Sequence, residues 1–176
     1  MIVNSIYNKV VVDTGPLYEF LLLRFIDRTG FESFKKYLSY VTSDAEKQDV
    51  LKDCFLRFHN ILTTPGVISE INAHIGKESK GPKLKTYSKE FKNFWAQTIE
   101  YFIEKNVQEE IIRLIEQNQI LTVNHGPVDT SIIDLALRQS AIVFTSDMKL
   151  YSEYYKTKQP EIKWLILNQQ GEILEQ

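Results

Sequence analysis

Several features are scarce in this sequence, and each shortage excludes a class of protein. The 176 residues include one cysteine, Cys54, so the chain cannot form an internal disulfide. Its longest uninterrupted apolar runs, such as Phe20–Leu23, have four residues, whereas a transmembrane helix needs about 20. Positive charge is not in excess, because 21 Lys and Arg residues stand against 23 Asp and Glu residues. We therefore expect a soluble, cytoplasmic protein that has no membrane contact and does not coat nucleic acid through bulk charge.

Positive charge is concentrated in residues 77–92 of this otherwise slightly acidic chain. Six lysines lie there against Glu78 and Glu90, which leaves a local charge of +4. Such a stretch is either a solvated loop or a strip of cations that contacts phosphate groups. The sequence leaves both interpretations open.

Apolar strand patterns alternate with helical patterns along the chain. The β-branched run that ends at residue 12 is closed by the turn signal of residues 13–16, and the apolar run of residues 141–145 is followed by Ser146 and Asp147. Strands that are apolar on both faces and separated by helices predict an α/β fold with a mainly parallel sheet. The predicted helices with both ends defined are 17–25, 31–41, 91–103, 107–117 and 128–139. Two more helices are predicted from start signals, one from the Ser43/Glu46 capping box to Leu62 and one that begins at Thr64-Pro65. Further short strands are predicted at 120–123, 164–167 and 173–174.

Four acidic residues lie where this fold would bring them together. Asp13 and Asp147 each follow an apolar strand, and the carboxyl ends of parallel strands meet at one edge of a sheet. Asp129 lies in the first turn of the helix before the second strand, and Glu70 borders the apolar face of an earlier helix. Converging carboxylates repel each other unless protons or cations intervene. Because hard oxygen ligands suit Mg²⁺ or Mn²⁺, convergence would require a divalent-metal site.

Four short motifs surround these acids in a fixed order. They read VVVDTGPL, SEI, GPVDTSIIDLAL and IVFTSD, and the 18-residue step from Asp129 to Asp147 holds one helix and one strand. This ordered set resembles the four acidic motifs of the PIN-domain nucleases, over about residues 9–150. Each motif alone is common, and the resemblance depends on the four together.

The resemblance implies both a fold and an activity. The fold would be one PIN-like domain over residues 1–176, a three-layer α/β/α sandwich with helical insertions at about 28–62 and 77–118. The activity would be that of a metal-dependent endoribonuclease, which hydrolyses phosphodiester bonds of single-stranded RNA with Mg²⁺ or Mn²⁺. Water attacks the phosphate in line, and the metal stabilises the leaving oxygen. The resemblance also allows the toxin role in a toxin–antitoxin pair, with an antitoxin protein as partner, and a homodimer.

The resemblance also assigns roles to individual residues. The catalytic residues, which are also the metal ligands, would be Asp13, Glu70, Asp129 and Asp147. Thr14, Thr145 and Ser146 would orient these carboxylates by hydrogen bonds or would bind a phosphate group of the substrate. We further expect the basic stretch to hold the RNA backbone through Lys77, Lys80, Lys83 and Lys85.

Other conspicuous residues have ordinary structural interpretations. Cys54 lies on an apolar helical stripe, which favours a packed thiol over a nucleophile. Asp134 lies about 140° around the helix from Asp129, so we expect it to contact solvent or Arg138, four residues further on. His74 and His125 lie close to the acidic motifs in sequence, and either a structural or a substrate-contacting role is open to them.

Three alternative functions each require particular residues, which can be compared with those in this chain. A haloacid-dehalogenase-like phosphatase needs a second Asp two positions after the first, where this chain has Gly15. A receiver-like phosphoacceptor needs an acidic pair and a suitably placed lysine, and Lys149 matches that position poorly. A non-catalytic module with the PIN fold would lack some of the four acids, and all four are here.

Overall fold

A computed structural model describes residues 7–30, 44–78, 89–90, 93–98, 119–156 and 162–176 of the chain. Its strands are β1 (Val10–Val12), β2 (Ile61–Leu62), β3 (Ile142–Thr145), β4 (Trp164–Leu167) and β5 (Ile173–Glu175). Its helices are α1 (Thr14–Thr29), α2 (Ala45–Leu56), α3 (Pro65–Glu78), α4 (Gln119–Gln139) and α5 (Met148–Lys156), and residues 93–98 are also helical. Within these ranges, no helix combines the length and the apolar character that crossing a bilayer requires.

The five strands form one mixed sheet in the order β2-β1-β3-β4-β5. The first four strands are parallel, and β5 runs antiparallel to β4. In the centre of the sheet, Val12 lies beside Phe144, which lies beside Leu165. The prediction of an α/β fold with a mainly parallel sheet is therefore confirmed, and so is the hairpin of the last two strands.

Helix α3 begins where the sequence signals it, whereas α1 begins at Thr14, three residues before the predicted start at Leu17, and ends four residues after the predicted end at Phe25. The predicted turn at residues 13–16 is the first turn of the helix, because Asp13 caps it and the first turn tolerates Pro16. Asp13 caps α1, and Gly30 ends it with a left-handed conformation at φ 71° while its N–H donates to the Ile26 carbonyl at 2.8 Å. Thr64 caps α3, because its hydroxyl oxygen accepts the N–H of Val67 at 3.3 Å, and Pro65 is the first helical residue. Both helices therefore start directly after a strand, at the carboxyl edge of the sheet.

The structure corrects several of the predicted elements. The cap of α2 is Asp44, whose carboxylate accepts the N–H groups of Glu46 and Lys47, and Ser43 lies outside the described residues. The helix ends at Leu56, so Leu62 belongs to strand β2. Helix α5 was not predicted at all.

Residues 120–123 are helical, so the prediction of a strand there is wrong. A run of four residues with three apolar members fits a strand or one turn of a helix equally well, and periodicity cannot separate the two. The predicted helices at 31–41 and 107–117 lie outside the described residues, as does most of the predicted insertion at 77–118.

Candidate active site

Asp13 occupies the centre of the carboxyl edge, directly after β1. Its N–H donates to the Phe144 carbonyl of β3 at 2.9 Å, which extends the ladder by one residue beyond the strand. Its side chain is 9% exposed and accepts two hydrogen bonds, from the Thr14 N–H and from the Thr145 hydroxyl, both at 2.6 Å. The carboxylate is therefore held in one orientation at the meeting point of β1, β3 and α1.

Glu70 is connected to this position by a threonine. The Thr14 hydroxyl, in the first turn of α1, donates to Oε2 of Glu70 at 2.6 Å. Val67 and Ile71 on the same helix are fully buried, and they fix the rotation of α3 so that Glu70 lies towards α1. Glu70 itself is exposed on its outer side. Because the Thr14 N–H also donates to Asp13, Thr14 connects Glu70 to Asp13.

Asp129 follows a break in α4. Gly126 has φ 82° and ψ 169°, a conformation that only glycine adopts easily, and the helical path changes direction there. The helix then packs on α3 so closely that a Cβ atom at Gly66 would lie 3.1 Å from a methyl group of Val128. The Ser131 hydroxyl also donates to the Thr64 hydroxyl at 2.9 Å. These contacts bring the half-buried Asp129 to the start of α3, near Glu70.

Asp147 follows β3 and is exposed. Its N–H donates to the Thr145 hydroxyl at 2.8 Å, and its Oδ1 accepts the N–H groups of Lys149 at 2.7 Å and Leu150 at 3.2 Å. Asp147 therefore caps α5, the helix that the sequence did not reveal. Because Thr145 also donates to Asp13, one buried hydroxyl connects the two aspartates.

The electrostatics show that the four acids lie close enough to influence one another. Burial raises the pKa of Asp129 to about 7, and the charges of Asp13, Asp147 and Glu70 add to that rise, while Lys149 opposes it. Burial also raises the pKa of Asp13, against the lowering effect of its hydrogen bonds from Thr145 and Thr14. The charges of Glu70 and Asp147 raise it further. The structure thus brings the four predicted acids together at one edge of the sheet.

The donors of this cluster match a hard divalent cation in chemistry. All four are carboxylates, and a cation would relieve the repulsion that raises the pKa values of Asp13 and Asp129. Among the described residues, however, no three His, Cys, Asp or Glu side chains are already arranged to hold a metal ion. The donor set therefore fits Mg²⁺ or Mn²⁺, whereas the ligand geometry would have to form as the ion binds.

The predicted supporting residues lie around the cluster. Thr14 and Thr145 donate to carboxylates as described above. Ser146 lies against the first turn of α1, since a Cβ atom at Gly15 would lie 2.5 Å from its hydroxyl oxygen.

The basic stretch is the part of the prediction that the structure describes least. Lys77 belongs to the last turns of α3, and Lys80, Lys83 and Lys85 lie outside the described residues. Their predicted role on RNA stays a prediction. Of the two histidines, His74 stacks on Tyr18 with ring centroids 5.6 Å apart, and the side chain of His125 is outside the described part of the chain.

Two other residue predictions are confirmed. Cys54 is buried, and burial raises the pKa of its thiol to about 12, which favours a packed thiol over a nucleophile. Arg138 Nε lies 2.7 Å from Oδ2 of Asp134, the predicted ion pair on α4.

Sequence reasoning missed Lys149 as part of the site. The sequence offers it only as a poorly placed phosphoacceptor lysine, yet its charge lowers the pKa of Asp129. The side chain is 74% exposed, and its Nζ lies 3.9 Å from a carboxylate oxygen of Glu153. The sequence signal for this role is the position of Lys149 two residues after Asp147. That position lies in the first turn of α5, a helix that the sequence does not predict.

Comparison of the chain with models of known protein families gives no match, and comparison with curated proteins gives none either. The likeness to PIN-domain nucleases therefore depends on the four motifs and on the geometry of the acids they contain.

Proposed function

We propose that this protein is a metal-dependent endoribonuclease with a PIN-type active site, which hydrolyses phosphodiester bonds of single-stranded RNA with Mg²⁺ or Mn²⁺. One observation carries the proposal: the hydroxyls of Thr14 and Thr145 connect Asp13 to Glu70 and Asp147 at one edge of the sheet. The half-buried Asp129 lies within electrostatic range of all three, because burial raises its pKa and each of their charges raises it further. Strongly shifted pKa values cluster at functional sites, where a ligand or a reaction uses the shift. The cluster lies outside the carboxyl ends of parallel strands, where α/β proteins bind their ligands.

The residues of the cluster have distinct tasks in this proposal. Asp13 is the fixed ligand, since Thr14 and Thr145 hold both of its oxygens. Glu70, Asp129 and Asp147 complete the ligand set by side-chain movement. A bound divalent cation would neutralise charge on the phosphate and on the leaving oxygen. Thr14 and Thr145 act as positioning residues, because they contact carboxylates.

Lys149 adds a positive charge to an otherwise acidic site. A polyanionic substrate is repelled by four carboxylates, and its phosphates need cations close to the reacting bond. Lys149 affects Asp129 electrostatically and is largely exposed, so its ammonium group is available to a phosphate at the rim. Further from the cluster, Lys77, Lys80, Lys83 and Lys85 would contact the flanking backbone.

The proposal extends to the three-layer architecture of PIN domains. The ring of Phe55 on α2 contacts Phe144 at 5.7 Å, and Tyr151 on α5 contacts Trp164 at 5.5 Å. Trp164 pairs with Val143, the neighbour of Phe144, so the two aromatic contacts lie on opposite faces of the sheet. Helices on both faces support an α/β/α sandwich. The toxin role, the antitoxin partner and the homodimer belong to the same proposal and depend on the resemblance alone.

The competing candidate is a non-catalytic module with the same fold. It is favoured by the absence of a preformed ligand group among the described residues and by the capping role that already occupies one oxygen of Asp147. Metal binding separates the two candidates, because a module without a metal site would bind neither Mg²⁺ nor Mn²⁺ in the low-millimolar range.

The proposal is tested by cleavage of a fluorescently labelled single-stranded RNA in the presence of Mn²⁺. We expect Asp13→Asn and Asp129→Asn each to lower the cleavage rate by about 100-fold or more, because each removes a charged ligand from the cluster. Asp134→Asn is the matched control. It lies on the same helix as Asp129 and pairs with Arg138.

The control should keep the wild-type rate, and all three variants should keep the wild-type circular dichroism spectrum. Equal losses in Asp129→Asn and Asp134→Asn would show that the site is wrongly assigned. Full activity in Asp13→Asn would contradict the proposal as a whole.

A further inference from the structure

A groove lies between α2 and the β4–β5 hairpin, and it shares no residue with the acid cluster. Its cavity has a volume of about 390 Å³, in the range of pockets that bind ligands. The apolar lining comes from Val50, Cys54, Leu165 and Ile173.

The two ends of the groove show how it is oriented. At one end, Lys47 Nζ donates to the Gln169 carbonyl at 3.0 Å. At the other, Tyr7 donates its N–H to the Arg57 carbonyl at 3.0 Å and its hydroxyl to the carboxylate of Glu175 at 3.2 Å. Lys47, near the start of α2, therefore lies beside the residues that precede β5. Arg57, directly after α2, is connected through Tyr7 to Glu175 at the end of β5. Helix α2 and strand β5 thus run side by side along the groove.

Among the described residues, no strand pairs with the outer edge of β5. Strand β5 is the last strand in the described sheet, and Leu174 pairs with Ile166 of β4. Trp164 and Gln176 exchange two backbone hydrogen bonds at 3.1 and 3.0 Å, so alternate residues of β5 point their backbone groups towards β4. The N–H and C=O groups of Ile173 and Glu175 therefore point away from the sheet. Such an edge is a template for a further strand.

The surroundings of this edge are acidic. Five carboxylates and two cationic side chains line the groove, a formal charge of −3. Glu46, Asp49 and Asp53 repeat at intervals of three and four residues, so they form a row along the side of α2 that borders the groove, and all three are exposed. On the other face of the strand, Leu174 is 38% exposed.

We propose that this groove binds an extended segment of a partner protein, which adds a strand to the outer edge of β5. Side chains of an added strand alternate between the two faces of the sheet. Those on the α2 face would be Lys or Arg, whose stems cover Val50 and whose charges meet Asp49 and Asp53. Those on the opposite face would be apolar and would pack beside Leu174. The partner segment therefore alternates basic and β-branched apolar residues.

The proposal stands apart from the nuclease proposal, since it uses neither the cluster nor its metal. The test is fluorescence anisotropy with a short, end-capped, labelled peptide of alternating Lys and Val. We expect the wild-type protein to bind it, and the double variant Asp49→Asn/Asp53→Asn to bind about three- to tenfold more weakly, the effect of two exposed ion pairs. The double variant Asp27→Asn/Asp134→Asn changes the net charge equally at sites that do not line the groove, and it should bind as the wild type does.

The backbone contribution is tested separately. Glu175→Pro removes an outward N–H at an edge position, where proline is tolerated, and should abolish binding. If that variant does not fold, the same peptide with methylated backbone nitrogens provides the test, and it should fail to bind the wild-type protein.

In the wild-type complex, hydrogen exchange at the amides of Ile173 and Glu175 should slow. Equal binding of a Glu/Val peptide, or unchanged binding of the methylated peptide, would overturn the proposal. So would a loss of binding in Asp129→Asn/Asp147→Asn, which would place the peptide at the acid cluster, and so would a wild-type protein that binds no peptide.

Discussion

The acid cluster and the α2–β5 groove are both rich in carboxylates, but they differ in how those carboxylates are arranged. Four acids of the groove region lie within residues 44–53, whereas the acids of the cluster are spread from residue 13 to residue 147. The groove row is exposed, while Asp13 is buried and Asp129 is half-buried. Water screens charges at an exposed site, and burial removes that screening. Acid density in a sequence is therefore a poor guide to a reactive site, and convergence through the fold is a better one.

The largest expected difference between the two regions is the effect of an Asp→Asn substitution on the free energy of unfolding of the metal-free protein. We expect Asp129→Asn to stabilise the metal-free protein at about pH 8 by about 1–2 kcal/mol, since it removes a half-buried charge that three others repel. Asp49→Asn, in the groove, should change the free energy of unfolding by less than about 0.5 kcal/mol. Urea denaturation in the presence of a chelator measures both.

The pH dependence has a definite sign. The pKa of Asp129 is about 7 in the folded protein and near 3.8 in the unfolded chain. Between these values the folded state binds the additional proton, so wild-type stability falls as the pH rises towards 7. The advantage of Asp129→Asn should therefore be largest above pH 7 and should shrink towards about pH 4. An advantage that is absent at pH 8, or equal in Asp49→Asn, would remove the distinction between cluster and groove.

A smaller effect is expected from the basic stretch. Changing Lys77, Lys80, Lys83 and Lys85 to Gln should weaken RNA binding evenly across sequences and reduce the slope of log affinity against log salt by about 0.7 for each phosphate that is no longer neutralised. Asp13→Asn provides an inactive background for the RNA-binding measurement. In the protein that retains Asp13, the four lysine substitutions should hardly change metal affinity.

The control for this experiment is Lys9→Gln/Lys163→Gln. These two lysines directly precede β1 and β4, at the opposite edge of the sheet from the cluster. If both sets of substitutions change the slope equally, or if neither changes it, the lysines of residues 77–85 do not contact the RNA backbone.

The sequence revealed those parts of the fold whose signals are local. Three valines followed by Asp13 predicted β1, and Thr64-Pro65 predicted the start of α3, because capping and turn chemistry depend on a few adjacent residues. It did not reveal β2, whose two residues have no pattern of their own and pair only because Val10 and Val11 lie beside them. The sequence does not predict α5, because Asp147 is interpreted as a metal ligand or a turn residue and its capping role depends on the backbone of Lys149 and Leu150.

The candidate site was predictable in its members and not in its contacts. Strand ends and one helix start placed Asp13, Asp147 and Asp129 at a common edge. Nothing in the sequence showed that Thr145 would donate to Asp13 and accept from the N–H of Asp147, or that Thr14 would donate to Glu70. Those hydrogen bonds depend on strand register and helix packing, which residues distant in the sequence determine.

The most direct test of the central claim is a carbon-13 NMR titration of the Asp129 carboxyl group, with and without Mg²⁺. The account holds that four carboxylates form one coupled site that a divalent cation stabilises. It predicts a pKa near 7 in the metal-free protein, because burial and the charges of Asp13, Asp147 and Glu70 raise it. It also predicts a clear fall in that pKa when Mg²⁺ is added, because a cation favours the charged form. A pKa near 3.8 that does not change with Mg²⁺ would contradict the account.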